Sequence, residues 1–301
     1  MAHSHLLLGA GSAPARLTIR RIGIADLKNA LRRGVDDFYA MPTHAMFLCV
    51  IYPVVGLLLA RLAFGYSVLP LLYPLATGFA LVGPLAALGL YELSRQRETG
   101  HSPSASHALD VVQSSSIGAI VALGLLLLAI FVLWIAAANA LYIAEFGYAT
   151  PRSPGQFVRD VLTTDAGWRL IIFGNAIGFL FAVLVLAISA VSFPLLLDRD
   201  VGAAVALSTS IRAVWQNPVA MATWGLIVAA LLLLGSLPLF LGLTVVMPVL
   251  GHATWHLYRR VVEANDSSPH PTQHLPPGDR RYAADFPAVL FPWVRSRQRQ
   301  G

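Results

Sequence analysis

From Ile117 to Ile143 the chain reads IGAIVALGLLLLAIFVLWIAAANALYI, without a single charged side chain. Such a run leaves little choice of structure. About 20 apolar residues in a helix cover the ~30 Å hydrocarbon core of a bilayer, and a helix satisfies its own backbone polar groups there. Runs at His44–Phe64, Ser67–Tyr91 and Arg169–Leu197 predict three more spans. The stretch from Pro218 to Tyr258 is too long for one span at a rise of about 1.5 Å per residue. Gly235-Ser236-Leu237-Pro238 marks a turn halfway, so helices over 218–235 and 237–258 are predicted. The expected fold is an all-α membrane protein with six transmembrane helices arranged as three hairpins. Composition agrees: 56% of the 301 residues are hydrophobic and 12% charged, against about 25% charged in a soluble domain.

Charge sets the orientation. Arg16, Arg20, Arg21, Lys28, Arg32 and Arg33 precede the first span, Arg95 and Arg97 follow the second, Arg199 and Arg212 the fourth, and Arg259, Arg260, Arg280 and Arg281 the sixth. With an even number of spans all of these lie on one side, and the positive-inside rule makes that side, with both termini, cytoplasmic. The opposite side receives Glu145–Gly167, where Arg152 and Arg159 are offset by Glu145, Asp160 and Asp165. The net charge of +6 is thus dispersed between apolar runs and at the ends, which excludes a nucleic-acid surface. The single cysteine, Cys49, has no partner for an intrachain disulfide. The N-terminal MAHSHLLLGAGSAPARLTIRR lacks the apolar core of a signal peptide, so it is expected to be retained.

A degenerate repeat runs through this plan. Pro84, Pro194 and Pro248 each stand shortly before the basic end of the second helix of a pair. Amphipathic stretches precede the pairs: IADLKNALRRGVDDFYAM, SASHALDVVQ and DVGAAVALSTSIRAVWQ. In the first, Leu27, Leu31, Val35 and Phe38 define the predicted apolar face, with Lys28, Arg32, Asp36 and Asp37 on other faces. True repetition and the common demands of membrane insertion both account for such a pattern. Ser153-Pro154 is expected to start a short interfacial helix on the outer side. The domain plan is a flexible head over 1–20, a membrane domain over 21–262 and a Pro-rich cytoplasmic tail over 263–301, in which Tyr282–Arg295 is aromatic enough to dock on a membrane or a partner.

Reactive groups are scarce. In GHATWHLYRR, His252 and His256 share one helix face, as a metal or haem site would require. Topology adds His44 and Glu92 on the same membrane face as further candidate metal ligands. Against a site, Trp255, Tyr258, Arg259 and Arg260 around the pair make a membrane–water belt, the reading favoured here. Asn139 and Asn175 are expected to bond across a helix pair. Gly174-x-x-x-Gly178 and Gly225-x-x-x-Ala229 signal close helix packing. No mid-span Asp, Glu, Lys or His is present to serve a coupled pump.

The segments IGIADLKNALRRGVDDFYAMPTHAMFLCVIYPVVGLLLARLAFGY, LYPLATGFALVGPLAALGLYELSRQRE and PVLGHATWHLYRRVV resemble an uncharacterised family of bacterial six-span integral membrane proteins, a domain of unknown function of the DUF 2189 type. The resemblance covers residues 20–262 and holds in order and spacing from Asp26 to Glu92. It implies a multi-pass protein of the bacterial inner (plasma) membrane and brings no catalytic or binding residues. Some similar proteins carry an oxidase-subunit label, but a haem–copper core needs more spans and several intramembrane histidines than this chain has. The expected function is therefore non-enzymatic, an accessory, assembly or envelope-organising factor. Its expected partners are the lipid bilayer and another membrane complex, with no cofactor. The alternatives are a channel or transporter for a small neutral or lipid-like solute, and a metal- or haem-binding redox component built on His252 and His256.

Overall fold

The computed structural model describes residues 17–41, 54, 69–81, 83–100, 114–148, 151–238 and 240–263. The expected first span, the stretch SASHALDVVQ, the aromatic tail segment and His44 and Cys49 lie outside the described residues, Val54 excepted. Among the described residues the secondary structure is helical, apart from one isolated antiparallel bridge between Ile19 and Val262. The helices are α1 (Ile24–Ala40), α2 (Leu72–Leu81, entered through a 3-10 turn at Leu69–Leu71), α3 (Gly83–Ala86), α4 (Leu88–Glu98), α5 (Ile117–Phe146), α6 (Pro154–Thr163), α7 (Asp165–Ser189), α8 (Ser192–Asp198), α9 (Ala203–Gln216), α10 (Pro218–Ser236) and α11 (Leu243–Val261). Among the described residues three helical stretches are long and apolar enough to cross a membrane: α5, the α7–α8 run from Asp165 to Asp198, and α10.

Two of the expected spans are interrupted near a proline. The second turns at Ala87, three residues after Pro84, before α4 begins at Leu88. The fourth turns at Ala190–Val191 before α8, in which Pro194 lacks the amide that would continue the α7 ladder. The Ser210 hydroxyl on α9 accepts the freed Val191 amide at 3.2 Å. Pro248, in contrast, stays inside a continuous α11. The described residues 237–238 and 240–242 separate α10 from α11, so the second helix of this pair starts at Leu243 and not at the expected residue 237.

Helices α5 and α7 run antiparallel. Arg169 near the start of α7 pairs with Glu145 near the end of α5 at 2.8 Å, Gly174 faces Leu141, and Gly178 faces Trp134. The small-residue motif is thus used within the chain. Asn175 accepts a 2.9 Å hydrogen bond from the Tyr73 hydroxyl and donates to the Ile171 carbonyl, while Asn139 is exposed. The expected Asn139–Asn175 pairing is replaced by one between α2 and α7. Large apolar side chains such as Leu125, Val132, Phe179, Leu180, Leu226 and Leu233 cover the outer surfaces of α5, α7 and α10, as lipid-facing helices require.

The densest packing joins α1 to α11. Asn29 receives a 3.0 Å bond from Arg260 and Gly34 meets Val249 and Ala253, so the two helices run in opposite directions. A Cβ on Gly34 would lie 2.7 Å from the Ala253 amide nitrogen and the Val249 carbonyl oxygen. Glycine is the side chain this approach admits. The buried face of α1 is Leu27, Ala30, Gly34 and Asp37, which corrects the expected Leu27–Leu31–Val35–Phe38 stripe: the small residues set the contact, Val35 turns outward and Asp37 turns in. Opposite, Gly251 lets α11 close on Leu90 of α4.

Both ends of the described core meet. The Arg20 amide donates to the Val261 carbonyl at 2.8 Å and the Glu263 amide to the Thr18 carbonyl at 3.0 Å. Asn217, at the start of α10, accepts from the Ile22 amide at 2.8 Å and donates to the Arg20 carbonyl at 3.1 Å. The C-terminal ends of α4, α8 and α11 also converge. Glu98 accepts from Trp255 at 3.0 Å and Arg259 at 3.1 Å, and Asp198 accepts from the Tyr258 hydroxyl at 2.6 Å.

Candidate functional site: a buried carboxylate between two histidines

Asp37 is delivered to the interior by the small-residue face of α1, and α4 and α11 supply everything that meets it. Its Oδ2 accepts the Ser94 hydroxyl at 2.6 Å and lies 2.9 Å from His256 Nε2, while its Oδ1 accepts from Arg97. Ser94 Oγ also lies 2.8 Å from His252 Nδ1. Exposure is 4% at Asp37, 1% at Ser94, 0% at His252 and 8% at His256.

The partners fix the protons. An ionised carboxylate only accepts, so Ser94 spends its one proton on Asp37, and its oxygen accepts from a protonated His252 Nδ1. His256 likewise donates through Nε2. His252 Nε2 and His256 Nδ1 are left without a hydrogen-bond partner. Burial pushes the Asp37 carboxyl up. The hydrogen bonds from His256 and Ser94 outweigh that and hold it below the ordinary carboxylate value.

Serine, histidine and aspartate together invite comparison with a nucleophilic triad, but the order is wrong. A nucleophile hands its proton to the imidazole and the imidazole leans on the carboxylate. Here the hydroxyl donates to the carboxylate and accepts from the imidazole, and it is sealed from solvent. The arrangement is a lock between three helices.

Of the four sequence-predicted ligands, His252 and His256 are brought together around Asp37. Glu92 is not: it is buried and held by Arg95 at 2.8 Å and Gln96 at 2.8 Å. His44 lies outside the described residues. Among the described residues no three His, Cys, Asp or Glu side chains are placed to hold a metal ion. GHATWHLYRR is also no exposed belt, since Trp255 and Tyr258 are as buried as the histidines. Sequence reasoning missed Asp37, Ser94 and Arg97. The available signal was the spacing Ala30, Gly34, Asp37, which puts the acid on the face where two backbones approach most closely.

Comparison with known proteins agrees with the membrane assignment. A family model described as "Predicted integral membrane protein (DUF2189)" matches residues 72–198, from the start of α2 to the end of α8. No curated protein and no solved structure matches the chain.

Proposed function

We propose that this integral membrane protein is a non-enzymatic accessory, assembly or envelope-organising factor of a bacterial inner membrane, with six spans and both termini in the cytoplasm. The observation that carries the functional part is the closed polar lock: Asp37, Ser94, His252 and His256 spend their hydrogen bonds on one another out of reach of any substrate. What faces outward is apolar helix surface and cationic side chains, the equipment of a protein that acts through contact.

The pairing of Thr18–Arg20 with Val261–Glu263 supports the topology, because ends that meet on one side of a membrane imply an even number of crossings. So does the meeting of the α4, α8 and α11 ends at Glu98, Asp198 and Arg259. Antiparallel α5 and α7, then α10 and α11, supply two hairpins. The third hairpin of this reading pairs α2–α4 with the segment over 44–64, which lies outside the described residues. Crosslinking in the native membrane followed by mild detergent extraction tests the functional part: a defined protein should co-purify, and a chain that migrates alone refutes it. Fusions of alkaline phosphatase to either terminus test the topology, and activity from either would overturn it.

A further inference from the structure

We propose that the outward face of α1 is a docking surface for anionic phospholipid headgroups. Directly opposite the buried Ala30–Gly34–Asp37 face, Ile24, Lys28, Arg32, Val35 and Tyr39 form one stripe at four- and three-residue intervals, all exposed, with Tyr39 at 76%. Cations flanked by apolar and aromatic side chains on a single helical face are suited to the headgroup boundary, where the stems and rings enter the apolar layer and the charges remain with phosphate.

Position and charge both select lipid as the occupant. The entry to α1 is pinned to the first turn of α10 through Asn217, and the apolar outer surface of α10 is exposed from Val219, at 73%, onward. The stripe therefore borders lipid-facing surface. Arg20, Arg95, Arg97, Arg259 and Arg260 are occupied by carboxylates of the chain itself. Among the described residues Lys28 and Arg32 have no carboxylate in ion-pair range, although Asp36 flanks the stripe. Two cations held at a lipid boundary without internal counter-ions are complementary to phosphatidylglycerol or cardiolipin.

The proposal rests on the topological reading above, and its test separates the two. Phosphatidylglycerol is titrated against phosphatidylcholine on the detergent-purified full chain and retained lipid is counted by native mass spectrometry. Lys28→Gln/Arg32→Gln should weaken phosphatidylglycerol retention about fivefold per cation removed, roughly 25-fold in all at low salt. Lys28→Arg/Arg32→Lys should retain it, and Arg152→Gln/Arg159→Gln, on the opposite loop, should leave it unchanged. Equal retention by the double Gln variant and the parent would overturn the proposal. In a Cys49→Ala background, labelling of Arg21→Cys from the inner side alone upholds the topology. Labelling from the outer side refutes the topology whatever the lipid result.

Discussion

Truncating Asp37 to alanine tests the lock most directly. The carboxylate is 4% exposed and accepts from three donors on two other helices. Its removal leaves the His256 Nε2–H buried with nothing to donate to, and the Ser94 hydroxyl with His252 Nδ1 as its remaining partner. Arg97, whose side chain is 40% exposed, can turn to water. Breaking a buried charged network by deleting one partner costs about 3–5 kcal/mol, and the half-exposed arginine argues for the lower end, about 3 kcal/mol. For a chain of this size that corresponds to a fall in Tm of roughly 5 °C. Thermal unfolding of the purified protein in one fixed detergent, followed by the fluorescence of the buried Trp224 and Trp255, would read it. A double-mutant cycle with His256→Ala should return a coupling of about 0.5–3 kcal/mol. A Tm within 1 °C of the parent for Asp37→Ala, or additive losses in the cycle, would refute the inference that these side chains lock α1, α4 and α11.

Acid should release the same lock. A carboxyl whose folded pKa is depressed contributes stability that is complete above its unfolded value and disappears as pH falls through the folded one, so Asp37's contribution to Tm should be intact at about pH 5 and be lost below about pH 4. Asp37→Asn should remove that part of the acid sensitivity, as a Tm-against-pH series would report. Gly34→Ala, normally a helix-stabilising change, should destabilise by about 1–3 kcal/mol because the added methyl meets the α11 backbone; a rise in Tm would contradict the geometry. Asn217→Ala should cost about 1–2 kcal/mol and quicken tryptic cleavage after Arg20 and Arg21, since it frees the Ile22 amide and the Arg20 carbonyl. Trp134→Phe strips the 2.8 Å bond to the Pro74 carbonyl within the α2–α5 contact and should cost about 1 kcal/mol, seen as a small drop in Tm.

The long apolar runs made most of the helices legible, because lipid permits little else for such segments. A break between α10 and α11 was legible from Gly235-Ser236-Leu237-Pro238, though not its length, and the cap at Ser153-Pro154 was plain, since Ser153 does accept the Gln156 amide. What stayed illegible was the inner face of α1. Large side chains suggested Val35 inward, whereas the contact is set by Ala30 and Gly34, whose smallness carries no hydropathy signal. With that face misplaced, Asp37 had no visible reason to be buried. The histidine pair was recognised without its partners for a related cause. Glu92 and His44 were chosen by expected depth in the membrane, but depth does not say which face of α4 meets α11, and that face presents Ser94 and Arg97.

The bridge between Thr18–Arg20 and Val261–Glu263 also bears on the order of assembly. Asp37 and His256 are 219 residues apart in the chain. At translation rates of about 5–20 residues per second, α1 emerges roughly ten to forty seconds before the helix that covers it. Throughout that interval its buried acid and small-residue face have no final partner, and the intervening helices enter the membrane around an unfinished end. Closure is therefore a terminal event in biogenesis. A ribosome stalled before α11 would leave α1 with its buried face uncovered.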